Sequence, residues 1–176
     1  RKEEFVSVGG ILMKYNGNEE NLIIPDNIRA ISACVFYECN TLKSVKLPDG
    51  ISEICAGTFY SCTNLETVIM PDSLIKIRLS AFEKCTSLKN VIFGRNLRNI
   101  HGAAFAGCTS LKELIIPDTV RVIEQHAFAN CTSLEKVTLS ENTFISRRIF
   151  YGCEKIHIYS SQTGNEITDW YNGITY

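Results

Sequence analysis

The hydrophobic positions of this chain recur at a fixed period. Laid out in rows, Phe36, Phe59, Phe82, Phe105 and Phe128 fall 23 residues apart in one column, with Phe150 closing it one residue early. Cys39, Cys62, Cys85, Cys108 and Cys131 fill a second column, and Cys153 follows after 22 residues. A third holds Pro25, Pro48, Pro71 and Pro117, with Gly94 and Ser140 in its gaps; the missing residue lies between Ser140 and Ile145. Residues 48–70, PDGISEICAGTFYSCTNLETVIM, are the unit from which the rows are copied. A period in the twenties marks a solenoid. One copy cannot bury its own apolar faces, so stability comes from the interfaces between stacked copies.

Each row predicts the same elements. The tail pairs Val45/Leu47, Val68/Met70, Val91/Phe93, Leu114/Ile116 and Val137/Leu139 alternate with other residues, which predicts a short strand with one face buried, paired in parallel with its copies. Proline then ends the strand, because it has no N–H to give to a ladder. The middle of the unit, I-x-x-x-A-F-x-x-C, is too short for a stable helix. It predicts a short strand or a 3₁₀ turn on the outer side, with the phenylalanine column stacked inside.

We expect one domain with a cap at each end. In residues 1–20, FVSV and ILMKY flank Gly9-Gly10 and predict a hairpin that covers the first rung. Repeats run over residues 21–153, and NLIIP (21–25) supplies the first ladder strand. In residues 154–176, IHIY predicts a last strand, SSQTGN a loop, EITDWYN a two-turn helix that lays Ile167, Trp170 and Tyr171 over the final rung, and ITY a terminal strand.

The rows AFEKCTSLKNVIF, AFAGCTSLKELIIPDTVRVI and AFANCTSLEKVTL resemble the BspA-like, Treponema-type class of leucine-rich repeats. The opening GGILMKYNGNEENLIIPDNI and the close IHIYSSQTGNEITDWYNGITY are similar to that family's terminal segments. The resemblance implies a right-handed leucine-rich-repeat horseshoe, with a parallel sheet on the concave face and short strands or 3₁₀ turns on the convex side. It further implies a bacterial cell-surface or secreted protein that adheres to host matrix proteins, host cells or other bacteria, with no catalytic residues.

Charge and composition narrow the partners. A net charge of −1 and a pI near 6.4 give no electrostatic footprint for nucleic acid. No stretch approaches the roughly 20 apolar residues of a membrane span. The chain begins at Arg1, as expected of a processed protein or an excised fragment. Eight cysteines leave three readings open: free structural thiols, disulfides or a zinc site. Six of them share one column at about one strand spacing, roughly 4.8 Å, a row of like neighbours that favours free, buried thiols. There is no C-x-x-C motif, and Cys34 and Cys55 lie off the column without an obvious mate.

Candidate chemistry is sparse. His101, His126 and His157 share no spacing that makes a triad or a facial metal set. His101 shares a column with Arg78 and Glu124, which predicts an Arg-His-Glu charge row of little energetic weight. No phosphate-binding loop, dinucleotide fingerprint or serine elbow occurs, so neither an enzyme nor a cofactor or metal is expected.

The outward strand columns say more. One reads Ile23, Lys46, Ile69, Ile92, Ile115, Thr138; its companion reads Asn21, Ser44, Thr67, Asn90, Glu113, Lys136. An apolar strip rimmed by polar residues predicts a partner surface at Lys46, Thr67, Ile69, Asn90, Ile92, Glu113, Ile115 and Thr138. The plainer reading is that β-branched residues pack against cross-strand neighbours even when half exposed. The leading expectation is a monomeric, non-enzymatic module that binds a protein partner through its concave sheet. The alternative is a structural spacer with no ligand of its own.

Overall fold

The computed structural model describes residues 3–167. It opens with an antiparallel hairpin of β1 (Phe5–Val8) and β2 (Ile11–Tyr15), registered Phe5 to Tyr15 and Val8 to Ile11. Each following row contributes one longer and one shorter strand. The longer ones are β3 (Asn21–Ile23), β5 (Ser44–Lys46), β7 (Thr67–Ile69), β9 (Asn90–Ile92), β11 (Glu113–Ile115), β13 (Lys136–Leu139) and β15 (His157–Ser160). The shorter ones are β4 (Ala30–Ile31), β6 (Glu53–Ile54), β8 (Lys76–Ile77), β10 (Asn99–Ile100), β12 (Val122–Ile123) and β14 (Phe144–Ile145). All row-to-row pairings are parallel and in register, so Val45 faces Val68 and Val68 faces Val91. The shorter strands form the ladder β6-β8-β10-β12-β14, while β4 joins β2 of the hairpin. This is the parallel leucine-rich-repeat solenoid that the row pattern and the resemblance predict, and none of the described residues is helical.

The shorter strands supply the expected outer side, and the turn that follows each carries i→i+3 bonds at alternate residues, from Thr58 to Cys55, Tyr60 to Gly57 and Cys62 to Phe59. Two columns in it take a left-handed backbone: Cys34, Gly57, Ser80, Ala103, His126 and Arg148 before the phenylalanine, and Glu38, Ser61, Lys84, Gly107, Asn130 and Gly152 after it. The alternation aims the phenylalanine N–H at the next row, where Phe59 donates to the Ala81 carbonyl at 2.8 Å and Phe82 to Ala104 at 2.7 Å. A left-handed residue other than glycine costs about 1–2 kcal/mol. The row-to-row bond offsets that cost, which is why the turn exists only in the stack.

The phenylalanines stack inside. Phe36 to Phe59, Phe59 to Phe82 and Phe82 to Phe105 have centroids 4.9, 5.1 and 5.1 Å apart, with ring planes within 3, 5 and 7° of parallel. Parallel rings touch at about 3.5 Å, so these spacings require a sideways slip, the favoured offset arrangement. Cys62, Cys85, Cys108, Cys131 and Cys153 fill the space beside them, and each thiol donates to the carbonyl of a phenylalanine in the preceding row, at 2.9 Å from Cys62 to Phe36 and 3.1 Å from Cys85 to Phe59. Burial pushes the Cys108 thiol pKa up. The expectation of six buried column thiols holds for five: Cys39 is half-buried, because it is the first of the column and no earlier row covers it. Cys55 is half-buried and Cys34 exposed, and all eight are unpaired.

Both ends extend the ladder logic. Tyr15 sits 5.2 Å from Phe36 and Phe5 sits 5.4 Å from Tyr15, so the hairpin continues the aromatic stack over the first rung. At the other end the chain turns back antiparallel. Tyr159 bridges Glu166, the Ile167 N–H donates to Ile158 at 2.7 Å, and Ile167 packs on the core. The start of the expected helix is therefore extended backbone, because the free edge of β15 needs partners for its peptide groups. The remainder of that helix, with Trp170 and Tyr171, and the terminal ITY strand lie outside the described residues.

Thiol labelling tests the packing. In native protein without reductant, an aromatic disulfide reagent should modify Cys34 at once and Cys62, Cys85, Cys108, Cys131 and Cys153 only on unfolding. A count below eight in denaturant would contradict the free-thiol assignment.

Candidate functional site

Alternation along the longer strands turns two columns outward. In the apolar column Ile23, Ile69, Ile92 and Ile115 are 72, 37, 52 and 68% exposed, Lys46 is exposed and Thr138 half-buried. Register places Lys46 beside Ile69, Ile69 beside Ile92, and Ile115 beside Thr138. In the companion column the Asn90 amide donates to the Thr67 hydroxyl at 3.2 Å, and Lys136 pairs with Glu113 at 3.0 Å. The eight expected site residues thus share one face. They do not form one continuous stripe.

The longer-strand ladder is split between β9 and β11, giving separate sheets β3-β5-β7-β9 and β11-β13-β15. Elsewhere the carbonyl just before each strand accepts two N–H groups from the next row: Lys43 takes Glu66 and Thr67, Glu66 takes Lys89 and Asn90, and Lys112 takes Glu135 and Lys136. The corresponding N–H groups of Lys112 and Glu113 reach no backbone acceptor among the described residues. The rows rejoin on either side, where Ser110 N–H donates to Thr86 at 3.2 Å and the Thr119 hydroxyl to the Arg95 carbonyl at 2.8 Å.

Three sequence features coincide with this opening. First, Phe93 occupies the column that Ile24, Leu47, Met70, Ile116 and Leu139 fill elsewhere, and its ring meets Phe105 edge-on at 5.9 Å and 85°. Second, Gly94 stands in the proline column with its backbone against Pro71, so close that a methyl group built on it would overlap the Pro71 carbonyl. Asp72 fastens that approach by accepting from the Arg95 N–H and guanidinium, each at 2.8 Å. The chain leaving β9 is thereby fastened to the preceding row. Third, the column before the strands alternates Glu20, Lys43, Glu66, Lys89 and then repeats the sign at Lys112. Lys43 pairs with Glu20 at 2.8 Å and Lys89 with Glu66 at 3.1 Å, whereas Lys112 forms no ion pair among the described residues. Like charges on adjacent strands are destabilising.

The result is a cleft of about 850 Å³ in the middle of the outward face. Of the expected residues it takes Thr67, Asn90, Ile92, Glu113 and Ile115, and it adds Lys89, Val91, Ser110, Lys112 and Ser133; Lys46, Ile69 and Thr138 lie outside it. Val91 is half-buried there, although Val45, Val68, Leu114 and Val137 at the same place are buried. Reading the outward columns alone misses the two lysines. The broken sign alternation and the Phe93-Gly94 pair are the signals that mark them.

The expected Arg-His-Glu row forms as two separate pairs. Arg78 turns to Glu53 at 2.8 Å, while His101 Nδ1 faces Glu124 at 3.0 Å and Glu124 also accepts the Gly102 N–H at 3.0 Å. Arg78 prefers a permanent carboxylate to a neutral or like-charged ring. His126 sits in a left-handed turn column and His157 pairs with Glu166 at 2.7 Å in the terminal return. Among the described residues no three His, Cys, Asp or Glu side chains are placed to hold a metal, and no helix is long and apolar enough to cross a membrane.

Comparison with known proteins follows the same lines. A family model described as BspA type leucine rich repeat region matches in six copies, over residues 12–134 and 98–171. A leucine rich repeat protein of T. pallidum is similar at 30% identity and TM-score 0.77, covering 86% of this chain and 75% of its own. One from Bacteroides ovatus is similar at 29% identity and TM-score 0.72, covering 90% and 44%. A leucine rich cell surface protein of Faecalibacterium prausnitzii is similar at 25% identity and TM-score 0.68, covering 89% and 50%. The chain therefore spans three quarters of the first and half or less of the other two. No curated protein matches it.

Two measurements probe this region and its flank. In native-state hydrogen exchange, the amides of Lys112 and Glu113 should exchange at least about tenfold faster than those of Glu66, Thr67, Glu135 and Lys136, because an unpaired amide needs no opening step. Equal protection would show an intact ladder. Separately, the hydrogen bond from Arg78 holds the Glu53 carboxyl below its ordinary value of 4.5 against desolvation, and the Arg78 charge adds to it. A lowered carboxyl pKa stabilises the fold above the unfolded value and loses that contribution as pH falls through the folded one. Glu53→Gln should therefore be less stable than the parent near pH 7, with the difference shrinking in urea titrations as pH falls below the ordinary carboxyl value of 4.5.

Proposed function

Because the chain belongs to the family of BspA type leucine rich repeats, we propose that it is a non-enzymatic binding module of a bacterial surface or secreted protein, taking a protein partner on the outward face of its longer strands. The observation that carries the proposal is the exposure of Ile69, Ile92 and Ile115 at 37, 52 and 68% along one face. Apolar side chains held out on a rigid sheet and rimmed by Thr67, Asn90, Glu113 and Lys136 have the layout of an interface core with a polar rim. The cell-surface description of the Faecalibacterium prausnitzii relative supports the location. The in-register rows on either side of the split also support the role, since they hold their outward side chains at a fixed spacing and leave little order to be gained on binding.

The test is a triple substitution, Ile69→Ser, Ile92→Ser and Ile115→Ser, assayed for adhesion to immobilised matrix proteins, host cells and co-resident bacteria. The substituted side chains leave the core untouched, so thermal unfolding should stay cooperative. Adhesion should fall at least about tenfold, the loss of one interface residue worth about 1.4 kcal/mol. Undiminished adhesion of a folded variant would leave the spacer reading in its place.

A further inference from the structure

We infer that the cleft between β9 and β11 is an anchor site for a carboxylate side chain on an extended segment of the protein partner. The inference rests on the reading of this face as a partner surface and names the chemistry of its centre.

Four features of the cleft converge. The N–H groups of Lys112 and Glu113, adjacent in the chain, are left without a backbone acceptor by the split ladder. In other rows the equivalent pair converges on a single oxygen, as Glu66 and Thr67 do on the Lys43 carbonyl, so these two free donors are aimed at one acceptor position. The Lys112 ammonium lines the same cleft and carries no ion pair among the described residues, and Lys89 lines the opposite wall with its charge shared with Glu66 at 3.1 Å. The one carboxylate in the cleft, Glu113, is engaged by Lys136 at 3.0 Å and so does not neutralise Lys112. Finally, the column that reads Glu20, Lys43, Glu66, Lys89, Lys112, Glu135 lacks one negative charge between its two lysines. A carboxylate in the opening supplies that charge, and one of its oxygens takes the acceptor position that a carbonyl of the preceding row holds elsewhere.

The space limits the ligand further. The rows are bonded together on both sides of the opening, at Ser110 to Thr86 and at Thr119 to Arg95. A side chain can enter between them, but a whole added strand, which needs roughly another 4.8 Å of ladder, cannot. The flanking residues of the partner would then lie on Ile92 and Ile115, the exposed apolar side chains at either lip. An acidic residue between apolar ones is the pattern that fits.

The experiment is an NMR titration of the whole chain with blocked pentapeptides of alternating threonine and valine, carrying aspartate, asparagine or lysine at the centre. The aspartate peptide should shift the Lys112 and Glu113 amides saturably, the asparagine peptide should bind at least tenfold more weakly, and the lysine peptide should leave both amides unmoved. Lys112→Glu should abolish the shifts and Lys112→Gln should weaken them at least threefold, each with an otherwise unchanged amide spectrum. Equal binding of the aspartate and asparagine peptides, or persistence in a folded Lys112→Glu variant, overturns the inference. So does an inorganic phosphate or sulfate titration that moves the same amides as strongly as the aspartate peptide, because it would assign a general anion site. Silent peptides together with lost adhesion in the triple isoleucine variant sink the anchor and spare the partner surface; retained adhesion in that variant removes both.

Discussion

The structure depends on one constraint: each row must satisfy its strand backbone, and every second peptide group of its turns, on its neighbours. With the strands after the hairpin two to four residues long and no helix among the described residues, pairing within a row is confined to its turns, as from Leu74 to Pro71, Glu83 to Ser80 and Leu88 to Cys85. Three lines of row-to-row bonds meet the constraint, at the longer strands, at the shorter strands and through the left-handed turns. A buried peptide group left unpaired costs about as much as a lost hydrogen bond. The rows are therefore locked in register, and the side-chain columns follow from it. The phenylalanines slip into an offset stack because the ladder spacing exceeds ring contact. The thiols lie beside them because a small side chain with a weak donor fits under the carbonyl of the preceding row.

The same constraint gives the split ladder its meaning. In a stack held by repeated bonds, a local opening needs a local cause, and here a bulkier side chain at 93, a backbone approach at Gly94 and like charges at 89 and 112 act at one rung. The cost is confined because the rows close again within a few residues on each side. What is left is a polar notch in an otherwise apolar strip, with backbone donors facing solvent on the exposed face. Surfaces of that kind combine area with a directional anchor, which is how a flat sheet acquires selectivity.

Neither the histidines nor the thiols line the cleft. Cys62, Cys85, Cys108, Cys131 and Cys153 are held beneath the surface as packing, with burial raising the Cys108 pKa away from the reactive range. His101 and Arg78 each take a carboxylate of their own, so charges that share a column do not make a relay.

Much was legible in the sequence itself, because a repeat turns equal places into neighbours. The period alone sets the parallel register, the buried faces of the strands, the phenylalanine and cysteine columns and the outward isoleucines, since each of these depends only on alternation and on rows lying flat on one another. What only the tertiary structure decided are the features that depend on departures from the repeat and on edges. The left-handed turn columns carry mostly residues with no local preference for that backbone, so they appear only when the next row accepts the bond. The antiparallel return at Glu166 and Ile167 arises because β15 would otherwise be an open edge, whatever the helical propensity of the segment. The notch at Lys89 and Lys112 exists because Phe93 and Gly94 act across rows, where a column read one residue at a time shows two substitutions and the stack shows a gap.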